Sequence, residues 1–279
     1  MRIRIGHSPD ADDAFAHWAY AVGRLPPAAA RYEFTEVIED IERLNERALD
    51  GELEVTAISL FAYARAAGRY RLLSSGASFG EGYGPVVVAR TADGPADLAG
   101  TDVAVPGRLT TAALLLRLFA PASRPVEMPF DQILPAVAEG RIPAGVLIHE
   151  GQLTYAREGL RLALDLALAW TARTNLPLPL GFNAIRRDLP ENVRRDLASL
   201  HRAAVRAALE NREDALARAR PFAKGLDAAE ADRFVGMYVN ARSLDPGPDG
   251  RLAMRTLLDW AAAEGLAPAG VPLDFQEEA

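Results

Sequence analysis

The segment Gly145-Val146-Leu147-Ile148-His149-Glu150 is an apolar run that stops at two ionisable side chains. A short continuous apolar run bounded by glycines is typical of a strand buried on both faces. Ligands of open α/β sheets bind outside the carboxyl ends of such strands. His149 is therefore a candidate general base at the rim of a pocket, because imidazole titrates near neutral pH. The alternative is a histidine that only hydrogen-bonds a neighbouring loop.

Other polar residues also follow predicted strands. Ser8, Asp10 and Asp12 stand between a strand at residues 2–6 and a helix predicted from about residue 12 to 21. Their acidic groups either cap that helix, or one of the three residues lines the crevice. An Asp-x-Asp after a strand also occurs in metal-binding phosphotransferases, but the lysine and second acidic cluster of those enzymes are missing. Ser59 ends the strand 54–59, where it either caps the next helix or faces the ligand.

Two further hydroxyls, Thr110 and Thr111, open a helix predicted through residue 119. Hydroxyls beside the free N–H groups of a helix N-terminus can bind a carboxylate or phosphate, and the alternative is a plain cap. Tyr155, on a helix predicted over residues 153–158, and Asn183, in a later strand, complete the candidate binding residues. His201 lies within a later helix and is predicted to be a packing or surface residue.

The elements that position these residues alternate between strands and helices up to about residue 190, and the rest reads as helical. Two α/β blocks and a return to the first predict two lobes joined by crossing strands near residues 85–92 and 176–185. The expected division is residues 1–88 plus 184–279 for the larger, outer lobe and 89–183 for the inner lobe. A ligand crevice is expected between them. The glycine-rich segment 76–84 lacks a dinucleotide fingerprint and is a candidate lid or hinge.

Composition narrows the possible functions. The 279 residues are 49% hydrophobic and 25% charged, which is ordinary for a globular protein, and the net charge of -7 argues against nucleic acid and anionic membranes as partners. The absence of cysteine excludes thiolate chemistry and zinc–cysteine sites. The single lysine, Lys224, is not part of a P-loop. Without a signal-like start or a long apolar run, we expect a cytoplasmic protein.

Several characteristic blocks are spread along nearly the whole chain. In order, they are residues 7–15 (HSPDADDAF), 40–45 (DIERLN), 84–90 (GPVVVAR), 106–112 (PGRLTTA), 148–155 (IHEGQLTY), 176–181 (LPLPLG), 186–189 (RRDL) and 238–241 (YVNA). Together these blocks resemble the 1,4-dihydroxy-6-naphthoate synthase family. Some relatives read Ser-Pro-Cys-Pro-Asn-Asp-Thr where this sequence has Asp10, Asp12 and Ala14 in the first block.

This resemblance implies an enzyme of the futalosine route to menaquinone that converts cyclic dehypoxanthine futalosine to 1,4-dihydroxy-6-naphthoate. It also implies a two-lobe periplasmic-binding-protein-like (type 2) α/β fold and neither a metal nor an organic cofactor. The proposed base of the family corresponds to His149, and its paired ligand-holding threonines correspond to Thr110 and Thr111. We expect neutral His149 to remove a proton from the sugar-derived part of the substrate, with Ser59 helping to anchor the carboxylate. Glu150 should point to the opposite face of the strand and play a structural role.

Three alternatives remain at this level. Chorismate dehydratase, a sibling enzyme, would share the fold; a solute-binding protein would hold an aromatic acid without reaction; and a ligand-sensing domain would regulate another protein. The expected partner is a small molecule, with a homodimer possible.

Overall fold

The strands of the protein form two separate sheets. The computed structural model describes residues 1–91 and 94–279. In chain order, the strands of this described part are β1 (Arg2–His7), β2 (Glu33–Ile38), β3 (Val55–Ser59), β4 (Tyr70–Leu72), β5 (Ser78–Gly80), β6 (Val86–Ala89), β7 (Asp102–Val105), β8 (Arg124–Glu127), β9 (Ala144–Leu147), β10 (Arg161–Asp165) and β11 (Leu178–Arg186). The first sheet has the order β2-β1-β3-β11-β4, with β5 beside β11, and the second has the order β10-β6-β9-β7-β8.

Helices cover both sheets. In the same described part they are α1 (Ala11–Ala16), α2 (Trp18–Ala21), α3 (Ile41–Asp50), α4 (Leu60–Ala66), α5 (Thr111–Phe119), α6 (Phe130–Ala138), α7 (Gly151–Thr154), α8 (Leu166–Thr174), α9 (Glu191–Glu210), α10 (Arg212–Ala219), α11 (Ala228–Tyr238) and α12 (Gly247–Ala263). Short 3-10 turns occur at Pro27–Arg31, Pro95–Leu98, Tyr155–Glu158, Arg220–Phe222 and Ala241–Ser243. None of the helices in residues 1–91 and 94–279 has the length and apolar content needed to cross a bilayer.

The path of the chain confirms the predicted two-lobe α/β fold with a return strand and a helical C-terminal region. The chain completes β1 to β5, builds the whole second sheet with β6 to β10, and returns as β11, which pairs antiparallel with β3 and β4. Parallel pairs occupy one side of each sheet and include an edge strand: β1 pairs with β2 and β3, and β7 pairs with β8 and β9. Crossover helices such as α3 and α6 connect these parallel strands, as the geometry of a parallel pair requires.

Strand pairing favours slightly different limits for the two lobes than the predicted 88/89 and 183/184 boundaries, which stay a prediction. All of β6 belongs to the second sheet and all of β11 to the first. The chain therefore changes sheet between residues 80 and 86 and between 165 and 178. Residue 92, the last of the first predicted crossing segment, lies outside the described residues.

The C-terminal helices complete the core of the first lobe. On α9, Leu197 and Leu200 are buried against Ile3 and Ile5 of β1, as their helical spacing predicts. Each such leucine contributes roughly 1.5–3 kcal/mol to stability through removal of apolar surface from water. This packing holds β1 rigidly, and with it the polar turn that follows β1.

Candidate active site in the cleft between the sheets

A cleft lies between the loops that follow the strands of the two sheets. Seven of the eight predicted site residues line it: Ser8, Asp10, Ser59, Thr110, Thr111, His149 and Asn183. The exception is Tyr155, which lies in a 3-10 turn and packs against the apolar core under the second sheet. The sequence predicted one helix through residue 158, but α7 ends at Thr154, and this change of helical geometry directs Tyr155 away from the cleft.

His149 lies in a tight turn and not at a strand end. The strand β9 stops at Leu147, and His149 has a φ of +57°, in the left-handed region. A non-glycine residue in this conformation lowers stability by about 1–3 kcal/mol, and contacts around it must offset that loss. The edge of the imidazole packs against the ring of Phe130, with centroids 5.0 Å apart at 79°. The turn therefore holds the imidazole ring in the cleft, just beyond the end of β9.

Asp10 supplies the hydrogen-bonding partner of His149 from the opposite side of the cleft. The Nδ1 atom of His149 is 3.0 Å from Oδ2 of Asp10, whose side chain is only 3% exposed. Burial raises the pKa of Asp10 to about 8, although the hydrogen bond from Ser8 acts in the other direction. Burial also lowers the pKa of His149, against the attraction of nearby carboxylates, so the imidazole is neutral at physiological pH. A neutral imidazole with Nδ1 engaged leaves Nε2 for a ligand.

Ser8 connects Asp10 to a second carboxyl group, that of Asp13. Its Oγ lies 2.5 Å from Oδ2 of Asp10 and 2.7 Å from Oδ2 of Asp13, and Asp13 also accepts the Ser8 N–H at 2.8 Å. Asp10 precedes α1 without making a side-chain cap, so the capping interpretation of Asp10 is wrong. The acidic turn instead forms one wall of the cleft.

The hydroxyl groups of Thr110 and Thr111 lie on the second-sheet side of the cleft, across from the acidic turn. Thr110 caps α5 by accepting the Ala113 N–H at 3.2 Å, and its own hydroxyl donates to the Gly107 carbonyl at 2.8 Å. Thr111 donates to the Leu180 carbonyl at 2.7 Å. Because both hydroxyl hydrogens are engaged, a ligand at this helix end would meet the free N–H groups of the first turn and the remaining hydroxyl lone pairs.

Ser59 and Asn183 present their free groups on the first-sheet side. The Ser59 Oγ accepts a hydrogen bond from Asn45 at 3.1 Å, which leaves its hydrogen available to a ligand. Ser59 precedes α4 without a side-chain cap, so the prediction that it lines the crevice describes its place better. Asn183 donates to the Gly76 carbonyl at 3.1 Å, and its buried Oδ1 has no hydrogen-bond partner among the described residues.

Several lining residues were missed from the sequence. Tyr238 on α11 donates to Oε1 of Gln152 on α7 at 2.8 Å, and both line the cleft. Both occur in blocks of the family resemblance, which is the only signal that could have indicated them. Glu150 is 8% exposed with an unpartnered Oε1, and burial raises its pKa. Glu150 lies beyond the end of β9, which stops at Leu147. The argument that it points to the opposite face of the strand from His149 was therefore wrong.

Two other predictions concern residues away from the reacting groups. His201 is 1% exposed and stacks near Tyr20 and His17, and burial lowers its pKa to about 3, so the prediction of a packing residue is confirmed. In residues 1–91 and 94–279, no three His, Cys, Asp or Glu side chains converge where a metal ion could lie.

Fold and cleft together define an α/β two-lobe protein of the periplasmic-binding-protein-like class. Solved structures agree: an alkanesulfonate-binding protein from Xanthomonas axonopodis superposes with a TM-score of 0.68 at 17% identity, covering 97% of this chain and 95% of that one. At that identity, the likeness concerns the fold alone.

Sequence comparison identifies the family. A family model described as menaquinone biosynthesis matches residues 3–263. A 1,4-dihydroxy-6-naphthoate synthase from Thermus thermophilus is 45% identical over 97% of this chain and 98% of its own, and one from Streptomyces coelicolor is 41% identical over 96% and 95%. A crystal structure of a protein from Archaeoglobus fulgidus has a TM-score of 0.90 at 47% identity, covering 95% of this chain and 98% of that one. The chain belongs to the menaquinone biosynthesis family and is an enzyme, as its sequence motifs predicted.

Proposed function

We propose that this enzyme converts cyclic dehypoxanthine futalosine to 1,4-dihydroxy-6-naphthoate, with His149 as the general base. The observation that carries the proposal is the position of His149 in the cleft, with Nδ1 engaged by Asp10 and Nε2 left for the substrate. The names of the Thermus and Streptomyces relatives support the product.

The chemistry needs a base that is neutral before it acts. Burial lowers the pKa of His149, so the imidazole is unprotonated at pH 7 and can accept a proton from the sugar-derived part of the substrate. Loss of that proton starts the fragmentation that leaves an aromatic naphthoate, and the gain of aromaticity drives the reaction. A positioned base contributes roughly 10²–10⁴-fold to such a proton transfer.

The rest of the cleft anchors the substrate. Its carboxylate would bind at the N-terminus of α5, beside Thr110 and Thr111, where free N–H groups and the helix dipole favour negative charge. The Ser59 hydroxyl and the unpartnered Oδ1 of Asn183 would bind hydroxyl groups of the sugar-derived part. His149 and the two threonines belong to the second lobe and Ser59 and Asn183 to the first, so both lobes hold the substrate.

The test is an assay of the purified enzyme with cyclic dehypoxanthine futalosine, in which the product is measured by mass and absorbance. We expect 1,4-dihydroxy-6-naphthoate from the wild type and a loss of about 10²–10⁴-fold in kcat for His149→Ala. Tyr155→Phe is the matched control, because that side chain lies outside the cleft. Equal turnover by wild type and His149→Ala would keep the reaction and eliminate this base.

Failure of the wild type to form product would eliminate the reaction itself. Release of water from chorismate would then indicate the sibling dehydratase, and binding of an aromatic acid without turnover would indicate a binding protein. A cytoplasmic location and a homodimer complete the proposal, and sedimentation of the purified protein tests the second of these.

A further inference from the structure

We propose that Asp10 is the positioning residue for His149: it holds the imidazole as the tautomer with hydrogen on Nδ1, and the pair is complete only when the two lobes meet. The inference rests on the proposed role of His149 and adds the residue that makes this role possible. Asp10 acts only through His149 and does not contact the substrate proton that is removed or the carbon that bears it.

The contact joins two independent parts of the fold. Asp10 follows β1 of the first sheet, and His149 follows β9 of the second, yet Oδ2 and Nδ1 are 3.0 Å apart. The left-handed turn and the edge of the Phe130 ring already restrict the imidazole. A hydrogen bond at Nδ1 adds the one property that packing cannot supply, namely which nitrogen carries the hydrogen.

The tautomer decides whether His149 can act as a base. With Asp10 ionised, Nδ1–H donates to Oδ2, and the lone pair of Nε2 accepts the substrate proton. The product of that step is an imidazolium beside a carboxylate, so charge separation within the pair is stabilised as it forms. With Asp10 protonated, a second arrangement competes, in which Asp10 donates to Nδ1 and the ring hydrogen lies on Nε2; the fraction of enzyme in that arrangement has no base.

The surroundings of Ser8 indicate that one proton is shared among these groups. A serine hydroxyl has a single hydrogen, yet Oγ of Ser8 makes short contacts with a carboxyl oxygen of both Asp10 and Asp13. One of those carboxyls must therefore donate to Ser8 for both contacts to be hydrogen bonds.

Other contacts close the cleft together with this pair. Thr111 on the second-sheet side donates to the carbonyl of Leu180 on β11, and Tyr238 on α11 donates to Gln152 on α7. Any separation of the lobes wide enough to admit a substrate would also break the contact between Asp10 and His149.

The pH dependence follows from all ionisable groups around the pair. Those groups are Asp12 and Asp13 on α1, Asp40 before α3, His7 at the end of β1 and Glu150 before α7. Burial disfavours ionisation of Asp10 most, the charges of Asp13 and Asp40 act in the same direction, and the hydrogen bond from Ser8 and the charge of His7 oppose them. We therefore expect kcat/KM of the wild type to decrease as the pH falls below about 8, when Asp10 takes up its proton.

The experiment compares the pH profiles of the wild type and Asp10→Asn, with Glu54→Gln as a control. Glu54 is likewise a buried carboxyl, 7% exposed, but it precedes β3 at the end away from the cleft. For Asp10→Asn we expect kcat to fall about 10²-fold with KM changed by less than about threefold. We also expect the acidic limb of its profile to move to lower pH, because the proton uptake by Asp10 that disfavours the active tautomer is absent and protonation of His149 itself remains. Glu54→Gln should keep both the turnover and the limb of the wild type.

A measurement on the wild type tests the inference even if Asp10→Asn does not fold. The protein has four histidines, so the ¹⁵N signals of His149 can be assigned by their absence in His149→Gln. At pH 9 we expect the tautomer with hydrogen on Nδ1, and observation of the Nε2–H tautomer would overturn the inference.

The two proposals fail in different ways. An unchanged acidic limb in an active Asp10→Asn enzyme eliminates the role of Asp10 and leaves that of His149. A wild type without turnover eliminates the proposed function, and the tautomer measurement still decides the pairing of Asp10 and His149.

Discussion

Replacement of Glu42 by Gln should stabilise the protein much more at alkaline pH than at pH 5. Glu42 on α3 is 8% exposed, and its two carboxyl oxygens accept the Leu109 N–H of the second lobe at 2.9 and 3.0 Å. Burial raises the pKa of Glu42 to about 7, against the effect of that hydrogen bond. The carboxyl thus binds its proton more tightly in the folded chain than in the unfolded chain.

The size and sign follow from linkage. Because the folded pKa lies above the unfolded value of 4.5, the favourable contribution of Glu42 is present below pH 4.5 and disappears as the pH rises to about 7. The change in the pKa of Glu42 from 4.5 to about 7 corresponds to about 3 kcal/mol in the free energy of unfolding. Glutamine is neutral throughout and can still accept the Leu109 N–H. Glu42→Gln should therefore exceed the wild type by up to about 3 kcal/mol above pH 8.

The assay is urea unfolding of both proteins at pH 5 and pH 8.5, followed by circular dichroism. Glu54→Gln serves as a control of opposite sign. Burial acts to raise the pKa of Glu54, but its hydrogen bonds and attraction to Arg4 outweigh burial and hold the pKa low, so its loss should cost most at pH 8.5. Destabilisation by Glu42→Gln at pH 8.5, or the same effect at both pH values, would refute the reasoning.

Two glycine substitutions test close packing near the cleft. Gly107→Ala should destabilise the protein and lower turnover, because φ is +145° and a Cβ would lie 2.3 Å from Oε2 of Glu42, in the turn that leads to α5; thermal unfolding and the naphthoate assay measure both effects. Gly145→Ala should cost about 1–3 kcal/mol, because its Cβ would lie 2.4 Å from Ile133 in the core below β9. Urea unfolding checks this value, and a variant as stable as the wild type would contradict it.

Local sequence patterns account for much of the fold. The apolar runs that precede Ser59 and His149 form buried strands, and Leu197 and Leu200 face the core at helical spacing. These features depend on neighbours within a few residues, because side-chain periodicity and burial are properties of a single element. The place where an apolar run stops was also informative, since both polar residues after the runs line the cleft.

The backbone at His149 shows where local patterns were insufficient. A strand through residue 150 was predicted, but the strand ends at Leu147 because His149 adopts φ +57°. The packing of Phe130 and the contact with Asp10 hold this conformation, and both come from distant parts of the chain. Tyr155 was likewise predicted from an element whose continuation depends on tertiary packing.

The sequence by itself determined the two α/β blocks, the polar residues at their strand ends and, through motifs spread along the chain, the family. Only the tertiary structure decided that Asp10 meets His149, that Thr111 bonds across to Leu180, and that Glu42 binds the turn before α5. The physical reason is distance along the chain. Hydrogen bonds and pKa shifts depend on atoms within a few ångströms and on burial, and both are set by how the two sheets are arranged.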